Sequence, residues 1–588
     1  MPERGRPLLL ALAFLTLATG APAQTWRVDG EALRRLHADT LEDVLRAAPM
    51  LTVERQGGEG LPYRVLAPGA RPGELLLVVD GVPWRDAWTG EPLAEELPIA
   101  LVEAVELDLR PQLADYGDAA LAGVIRVTTR RPEAPRVQTR LQLSRGSFGQ
   151  RGRHLTFTTP PGDVAVLVGL DEVFAEGYPF SAVWNGEPAQ TSATPEISLT
   201  RRRQLSTRVL LDGGGAGPLE LSFEGSAWHL DRSGTRFDPW YRERTRFALQ
   251  LPSSPLGALT LSHTQLDRHS ADGRATDAGV ALRWSRPLAG DGLRLLGGAE
   301  RHQLGFTVDG ERTPLPRPAW LWLGARGEAA LGERLRAALG GRFTAPYERR
   351  GRVQGEASLR WTLPAGWAVE GFAAGGRGDV AWGRDRVPDL QRWPAALSAP
   401  GEAPAGDPLL RTGAALDRQG ESFWARLLVA HEEGGLDWVL VETDAGGAWR
   451  AAPGEARQAL GATLGTRVKG LGGVMAAAVD LSAEGGFDEA STAERAFYPL
   501  AARGTLSLGR AFFAADARLT LDGGLEFRGG RSDHGNIVRA SLGAELRVLD
   551  ARFWLRLSNA LDWAGEELPG FPVQPSTLRL GIDWQLDH

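Results

Sequence analysis

From residue 136 onward the chain alternates between apolar and polar positions. Across Leu219 to Ala227, one side carries Leu219, Leu221, Phe223, Gly225 and Ala227 and the other Glu220, Ser222, Glu224 and Ser226. A period of two places every second side chain on the same face, so the stretch predicts a strand with one apolar and one polar face. Ala357, Leu359, Trp361 and Leu363 alternate in the same way with Ser358, Arg360 and Thr362, and Pro364-Ala365-Gly366 then turns the chain into Trp367, Val369 and Gly371. This predicts two antiparallel strands and a short turn. In Arg552 to Leu557, the arginines 552 and 556 share one face and Phe553, Leu555 and Leu557 the other. If the apolar face meets lipid, an arginine there would cost roughly 2–4 kcal/mol at mid-membrane, so both arginines belong on the inner face. A soluble sandwich or propeller would be built from shorter strands.

The N-terminal part reads differently. Leu75 to Val79 is a continuous apolar run of strand length, as a strand buried on both faces requires. Asp80-Gly81 then predicts a turn, because Gly adopts positive φ freely and Asp can bond to nearby backbone. Leu97 to Leu107 predicts a short helix feeding a strand, and Gly117 and Gly123 permit tight turns before a strand over Val124 to Thr128. Thr40, with Asp43 three residues later, predicts the capped start of a helix reaching Ala47.

Composition narrows the class. With 43% hydrophobic residues and a mean hydropathy of −0.21, the chain lacks the apolar excess of a helical membrane protein, while 74 Gly and 19 Trp suit a membrane barrel with aromatic girdles. Arg4 and Arg6 precede an apolar run from Leu8 to Ala18 and then Ala21-Pro22-Ala23, which predicts a signal peptide over 1–23 and export. That run is too short for a membrane-spanning helix, which needs about 20 residues. No cysteine is present, so disulfides, thiolate metal sites and Cys nucleophiles are excluded. The net charge of −7 gives no nucleic-acid signature. Nine scattered histidines show no metal-binding spacing, and no Gly-x-Ser-x-Gly elbow occurs, so no enzymatic activity is expected.

Residues 75–130 contain five pieces in a fixed order: the apolar strand Leu75 to Val79, the turn Asp80-Gly81-Val82-Pro83, the segment Leu97 to Leu107, Tyr116-Gly117, and Ala122-Gly123 followed by Val124 to Thr129. Together they resemble the plug domain of TonB-dependent outer-membrane receptors. At lower specificity the likeness extends through Gly146-Ser147-Phe148-Gly149, Glu176-Gly177-Tyr178, Gly406-Asp407-Pro408, Ser558-Asn559-Ala560 and the strand Leu578 to Leu586. The resemblance implies a membrane all-β fold: an antiparallel transmembrane barrel of about 22 strands occluded by an N-terminal α+β plug, with the plug over 24–135 and the barrel over 136–588. The 453 residues from 136 to 588 allow about 20 per strand with its share of loop. The segments 171–200, 228–245 and 377–412 are the expected long loops. The family usually closes on Phe or Trp and this chain closes on His588, yet Leu578, Leu580, Ile582, Trp584 and Leu586 still share one face.

The resemblance also implies a function, import of a small nutrient ligand held between external loops and plug loops. Trp84, Arg85, Asp86, Trp88 and Glu91 then form the main plug loop, with the tryptophans stacking on ligand and Arg85 pairing with an anionic group; Gln56 and Glu59 mark a second loop. The competing role for these residues is to seal plug against barrel. Asp80, Gly81, Pro83, Tyr116, Gly117 and Gly123 carry the plug motif. Asp231 and Asp238 offer hard oxygen ligands for Ca²⁺, but two carboxylates in an exposed loop are ordinarily solvated, so no cofactor is expected.

Family members pair an extended N-terminal segment, the TonB box, with the energy transducer. Cleavage after Ala23 would leave only Gln24 and Thr25 before Trp26-Arg27-Val28, which reads as the first plug strand, so these three residues are the expected TonB contact. The alternative is a receptor-like barrel without TonB coupling, serving as a structural or interaction component of an outer-membrane complex. The expected partners are outer-membrane lipid, the TonB-ExbB-ExbD complex, a small-molecule ligand and, during biogenesis, the barrel-assembly machinery, with the protein a monomer. The family carries iron chelates, cobalamin, nickel complexes, oligosaccharides and peptides; the segment from Leu97 to Glu106 resembles that of cobalamin receptors.

Overall fold

The computed structural model describes the chain from Trp26 to Asp587 except for short plug stretches, chiefly 34–37, 56–62 and 86–91, and a set of loop residues, chiefly within 180–195, 231–239, 314–318, 347–350, 378–407, 491–499 and 530–535.

The N-terminal domain is a five-stranded sheet. Strands β1 (Trp26–Asp29), β4 (Leu75–Val79), β5 (Val82–Pro83), β6 (Val102–Asp108) and β7 (Gly123–Thr129) lie in the order β1-β6-β7-β4-β5. Only the β4–β7 pair is parallel, Leu75 opposite Gly123 and Val79 opposite Val127. Every residue of β4 is buried, the outcome its unbroken apolarity predicts. Leu77, Val79, Val105, Leu107, Ile125 and Val127 join one apolar core with Val44 and Leu45 of helix α1 (Leu41–Ala47). That helix starts as expected: the Thr40 hydroxyl accepts from the Asp43 amide at 3.2 Å while the Asp43 carboxylate accepts from the Thr40 amide at 3.0 Å. A separate hairpin pairs β2 (Thr52–Arg55) with β3 (Tyr63–Leu66). A short 3₁₀ turn, Ile99–Leu101, feeds β6, and helix α2 (Leu113–Tyr116) precedes β7.

Among the described residues, twenty-two long strands then close into one barrel, with the short strand Glu311–Thr313 added to the end of Leu293–Val308. Long strands range from 8 to 16 residues. All neighbouring pairs are antiparallel, and the last strand, Thr577–Asp587, pairs with the first, Gln138–Gly146, so no edge is left open. No helix among the described residues is long and apolar enough to cross a membrane.

The predicted faces are realised. In strand Leu219–Leu230, Phe223 is exposed on the outside while Glu220 and Glu224 are buried inside. Leu359, Trp361, Phe553 and Leu555 are exposed, and Arg552 lies within 3.6 Å of Glu545 across the inner face. One end of the barrel has tight turns, such as Pro364-Ala365-Gly366 with φ of 58° at Ala365 and 91° at Gly366. The other end carries the longer connections. These are shorter than expected, because strands Val164–Pro179 and Glu196–Leu211 stay paired up to Pro179 opposite Glu196, which leaves 180–195 in place of 171–200. Strands likewise bound the other two loops to 231–239 and 378–407. A further connection contains its own hairpin, Leu436–Thr443 with Gly446–Pro453, which no sequence signal flagged.

Candidate functional site: the seam between plug and barrel

The domain sits inside the barrel, held by ion pairs and hydrogen bonds and also by apolar contacts, since Phe372, Ala415 and Leu428 of the wall join the plug's apolar core and Ala114 packs with Leu296 and Trp322. At the turn end, Asp80 (φ 49°) and Gly81 (φ 81°) both take positive φ, making the two-residue turn that joins β4 to β5. The Asp80 carboxylate accepts from the Thr129 amide at 2.9 Å and hydroxyl at 2.8 Å, and from Arg208 of the wall at 2.5 Å. Arg208 also meets Glu220 at 3.0 Å, and Gln250 donates to the Asp80 carbonyl at 2.8 Å. Burial pushes the Asp80 carboxyl up, but the Arg208 charge and the two Thr129 bonds outweigh it and hold it below the usual range. Pro83 pairs with Val78 inside the same hairpin.

Further along the chain, Trp84 packs against the wall. It is among the largest fully buried side chains, its indole N–H donates to the Leu93 carbonyl at 2.9 Å, and the guanidinium carbons of Arg244 and Arg246 lie 3.9 and 4.9 Å from its ring. Arg242 reaches Glu95 and Glu96 at 2.8 Å each, Arg244 reaches Glu96 at 2.8 Å, and Arg246 reaches Glu224 at 3.0 Å. Trp84 is thus packed into the seam beneath arginines of the wall. Arg85 is half-buried and forms an isolated bridge with Pro92 that closes the base of loop 86–91. Asp86, Trp88, Glu91, Gln56 and Glu59 lie outside the described residues, as do Asp231 and Asp238. Among the described residues no three His, Asp or Glu side chains gather as metal ligands.

A third contact set surrounds α2. Its first amides, of Leu113 and Ala114, donate to Glu356, and Asp115 binds Arg294 at 2.7 Å and Arg326 at 3.2 Å. The wall opposite is glycine: a Cβ on Gly340 would stand 2.9 Å from the Ala114 Cβ, and one on Gly324 3.0 Å from the Ala114 carbonyl oxygen. Tyr116 lies beneath Arg283, and Gly117 turns with φ of 71°. At Gly123, φ is 126° and a Cβ would come within 2.3 Å of the Asp108 carbonyl oxygen, so only glycine lets β7 start beside β6. Asp108 accepts from Arg110 at 2.7 Å, and Arg110 extends to Glu370 of the wall at 3.5 Å. Burial raises the Asp108 carboxyl, yet Arg110 and Arg126 together bring it down to about 2.

Two more wall arginines cap plug carbonyls: Arg411 on Pro68 at 3.0 Å and Gly69 at 3.3 Å, and Arg528 on Val53 at 3.2 Å. Between α1 and the wall lies a cavity of about 80 Å³ lined by Tyr63, Glu95, His154, Asp171 and Arg202 among others. Burial and the nearby carboxylates of Glu42 and Glu95 raise the Tyr63 hydroxyl well above its ordinary value, and burial raises the Glu95 carboxyl by more than Arg242 offsets. Trp26, Arg27 and Val28 form β1, the outer strand of the plug sheet, opposite Leu107, Glu106 and Val105; Val28 is buried and Arg27 exposed.

The wall arginines were missed in the sequence. Their signal was present, since Arg242, Arg244 and Arg246 recur at every second position of Trp240–Leu251 and so must share one face.

Residues 18–124 match the family model for the TonB-dependent receptor plug domain. Over 145 residues the chain is 31% identical to the vitamin B12 transporter BtuB of Vibrio vulnificus (strain CMCP6), a match covering 25% of this chain and 24% of that protein, so it spans about a quarter of that relative's length. In fold, the chain is similar to the copper transporter OprC (14% identity, 97% and 100% of the two chains, TM-score 0.72). It is also similar to the ferric enterobactin receptor PfeA of Pseudomonas aeruginosa (13%, 97% and 100%, 0.71) and the siderophore receptor PirA of the same species (12%, 96% and 99%, 0.64).

Proposed function

We propose that this chain, which carries the plug of the TonB-dependent receptor family inside a barrel of that family's architecture, is an outer-membrane receptor that imports a small nutrient ligand. In this reading the leader 1–23 directs export, the loop end faces outward and loop 86–91 offers ligand contacts, with Arg85 fixing its base. The observation that carries it is the character of the seam. The plug's apolar core touches the wall at only a few side chains, such as Phe372, Ala415 and Leu428, while much of its rim is held by ion pairs such as Asp80–Arg208, Glu96–Arg244 and Asp115–Arg294. Such contacts can be exchanged for water one at a time, which suits a body that must shift to open a path. The relatives' cargoes suggest a metal chelate or corrinoid. Uptake assays in a deletion strain, with iron chelate, copper and vitamin B12 each limiting in turn, test this; unchanged uptake of all three would remove the importer reading for those cargoes.

The second reading, a receptor-like barrel without TonB coupling, is favoured by the engagement of Trp26–Asp29 in the plug sheet through its pairing with β6. Calorimetric binding of the protein to the periplasmic domain of its host's TonB, with and without residues 24–29, separates the two. Binding that depends on those residues supports coupling, with β1 offering its outer edge; no binding favours the structural role.

A further inference from the structure

On the outside of the wall, register sets the side chains in rows. Leu141, Leu155, Leu170 and Leu205 stand side by side across strands Gln138–Gly146, Arg151–Thr158, Val164–Pro179 and Glu196–Leu211. Two residues nearer the loop end the row reads Leu143, Arg153, Glu172, Arg203, and the next reads Arg145, Arg151, Phe174, Arg201. The arginine side chains face outward, with relative exposures of 67% at Arg153, 58% at Arg203, 52% at Arg151 and 43% at Arg201.

Charge is unbalanced in this patch. Glu172 alone serves Arg153 at 3.7 Å, Arg201 at 3.1 Å and Arg203 at 3.0 Å, while Arg151 meets Glu176 at 3.4 Å. Five guanidiniums therefore face two carboxylates. On the neighbouring strands the Arg203 row continues as Ala227, Glu243 and Asp267 and the Arg201 row as His229, Tyr241, His269 and Arg274; there the outward Arg274 is bound to Asp267, so the arginine excess lies on the first four strands.

Outward arginines directly beyond a row of leucines, of which Leu155, Leu170 and Leu205 are exposed, sit where hydrocarbon gives way to headgroups. Guanidiniums match the oxygens of a phosphate group, and the convex wall offers a free anion no enclosing pocket. A lipid supplies both halves, phosphate for the arginines and acyl chains for the leucines. We propose that this face, on strands Gln138–Gly146 to Glu196–Leu211, binds the phosphorylated headgroup of an outer-leaflet lipid. The proposal rests on the outer-membrane reading above.

The test uses the purified full chain, native mass spectrometry and bisphosphorylated lipid A, with the same lipid stripped of phosphate as comparison. The intact protein and an Arg274→Gln control should retain the phosphorylated lipid. An Arg153→Gln/Arg203→Gln variant should lose roughly tenfold in retention, as should the intact protein with stripped lipid. If that variant fails to show the heat-dependent gel mobility of a folded barrel, Arg145→Gln/Arg151→Gln replaces it with the same expected loss. Equal retention of stripped lipid, unchanged retention by a folded variant, or displacement by excess inorganic phosphate would each overturn the proposal. Insertion into phosphatidylcholine vesicles is read separately: a chain that inserts without lipid preference loses the lipid site and keeps its membrane assignment, while one that does not insert loses both.

Discussion

The interior of the plug and its rim are built from opposite materials. Inside, Leu77, Val105, Leu107 and Ile125 are fully buried against one another. At the rim, Asp80, Glu95, Glu96 and Asp115 each face an arginine of the wall. Apolar packing is lost all at once when a body comes apart, whereas separate ion pairs can be broken one at a time. The contrast describes a plug that holds its own shape while its hold on the barrel is adjustable.

The strongest way to break that contrast is from the inside. Gly123→Val adds a side chain where φ is 126° and the Asp108 carbonyl leaves no room, so the β6–β7 pairing should fail. The expected result is a plug cut readily by protease within a barrel that keeps its heat-dependent gel mobility; a protected plug would show that the interior is not the cooperative unit.

At the rim, Arg208→Ala should cost about 3–5 kcal/mol, because it strands the buried Glu220 and the largely covered Asp80 carboxylate, 9% exposed, without their counter-charge. Adding Asp80→Asn should recover part of that loss. Denaturant titration of plug release reads both, and additive losses would mean that the pair is not coupled.

Acid sharpens the comparison, since it touches the rim and spares the core. Asp80 and Asp108 have depressed carboxyl values in the fold, so their stabilisation is complete above about pH 4, the unfolded value, and is lost as pH falls through the folded value, about 2 for Asp108. Glu95 runs the other way: its raised value means that the seam loses stability as pH climbs past its unfolded value of about 4.3. Plug retention measured against pH should therefore rise slightly on mild acidification and fall steeply below about pH 4. A flat profile between pH 6 and 3 would remove these carboxylates from the account.

The smallest effect is expected at Trp84→Phe, which keeps a ring against Arg244 and Arg246 but loses the bond to the Leu93 carbonyl, about 0.5–1.5 kcal/mol. Ligand affinity should be unchanged, since the ring is enclosed by the seam; a large loss of binding with normal stability would return Trp84 to the ligand site.

Where a pattern was local, the sequence carried it. The unbroken apolarity of Leu75 to Val79, the Thr40–Asp43 cap and the alternation through Leu219–Leu230 each correspond to an element formed by near neighbours. The site was less legible because its partners are distant in the chain: nothing near Asp80 points to Arg208, and nothing near Asp115 points to Arg294. Trp84 looked like a loop residue because it follows a turn, and only the closed wall shows that two arginines cover it. Loop limits were overestimated for a physical reason too. Beyond the lipid zone the outer face no longer needs to be apolar, so Glu172, Arg201 and Arg203 hide strands that the alternation rule would otherwise find.

The pairing that shuts the barrel joins the first long strand to the last, with Arg140 held against Asp583 across that junction. Because synthesis runs from the N-terminus, those hydrogen bonds can form only after every other strand has been made, the whole plug segment included. Closure of the wall is therefore a late event, set by the order in which the chain is made.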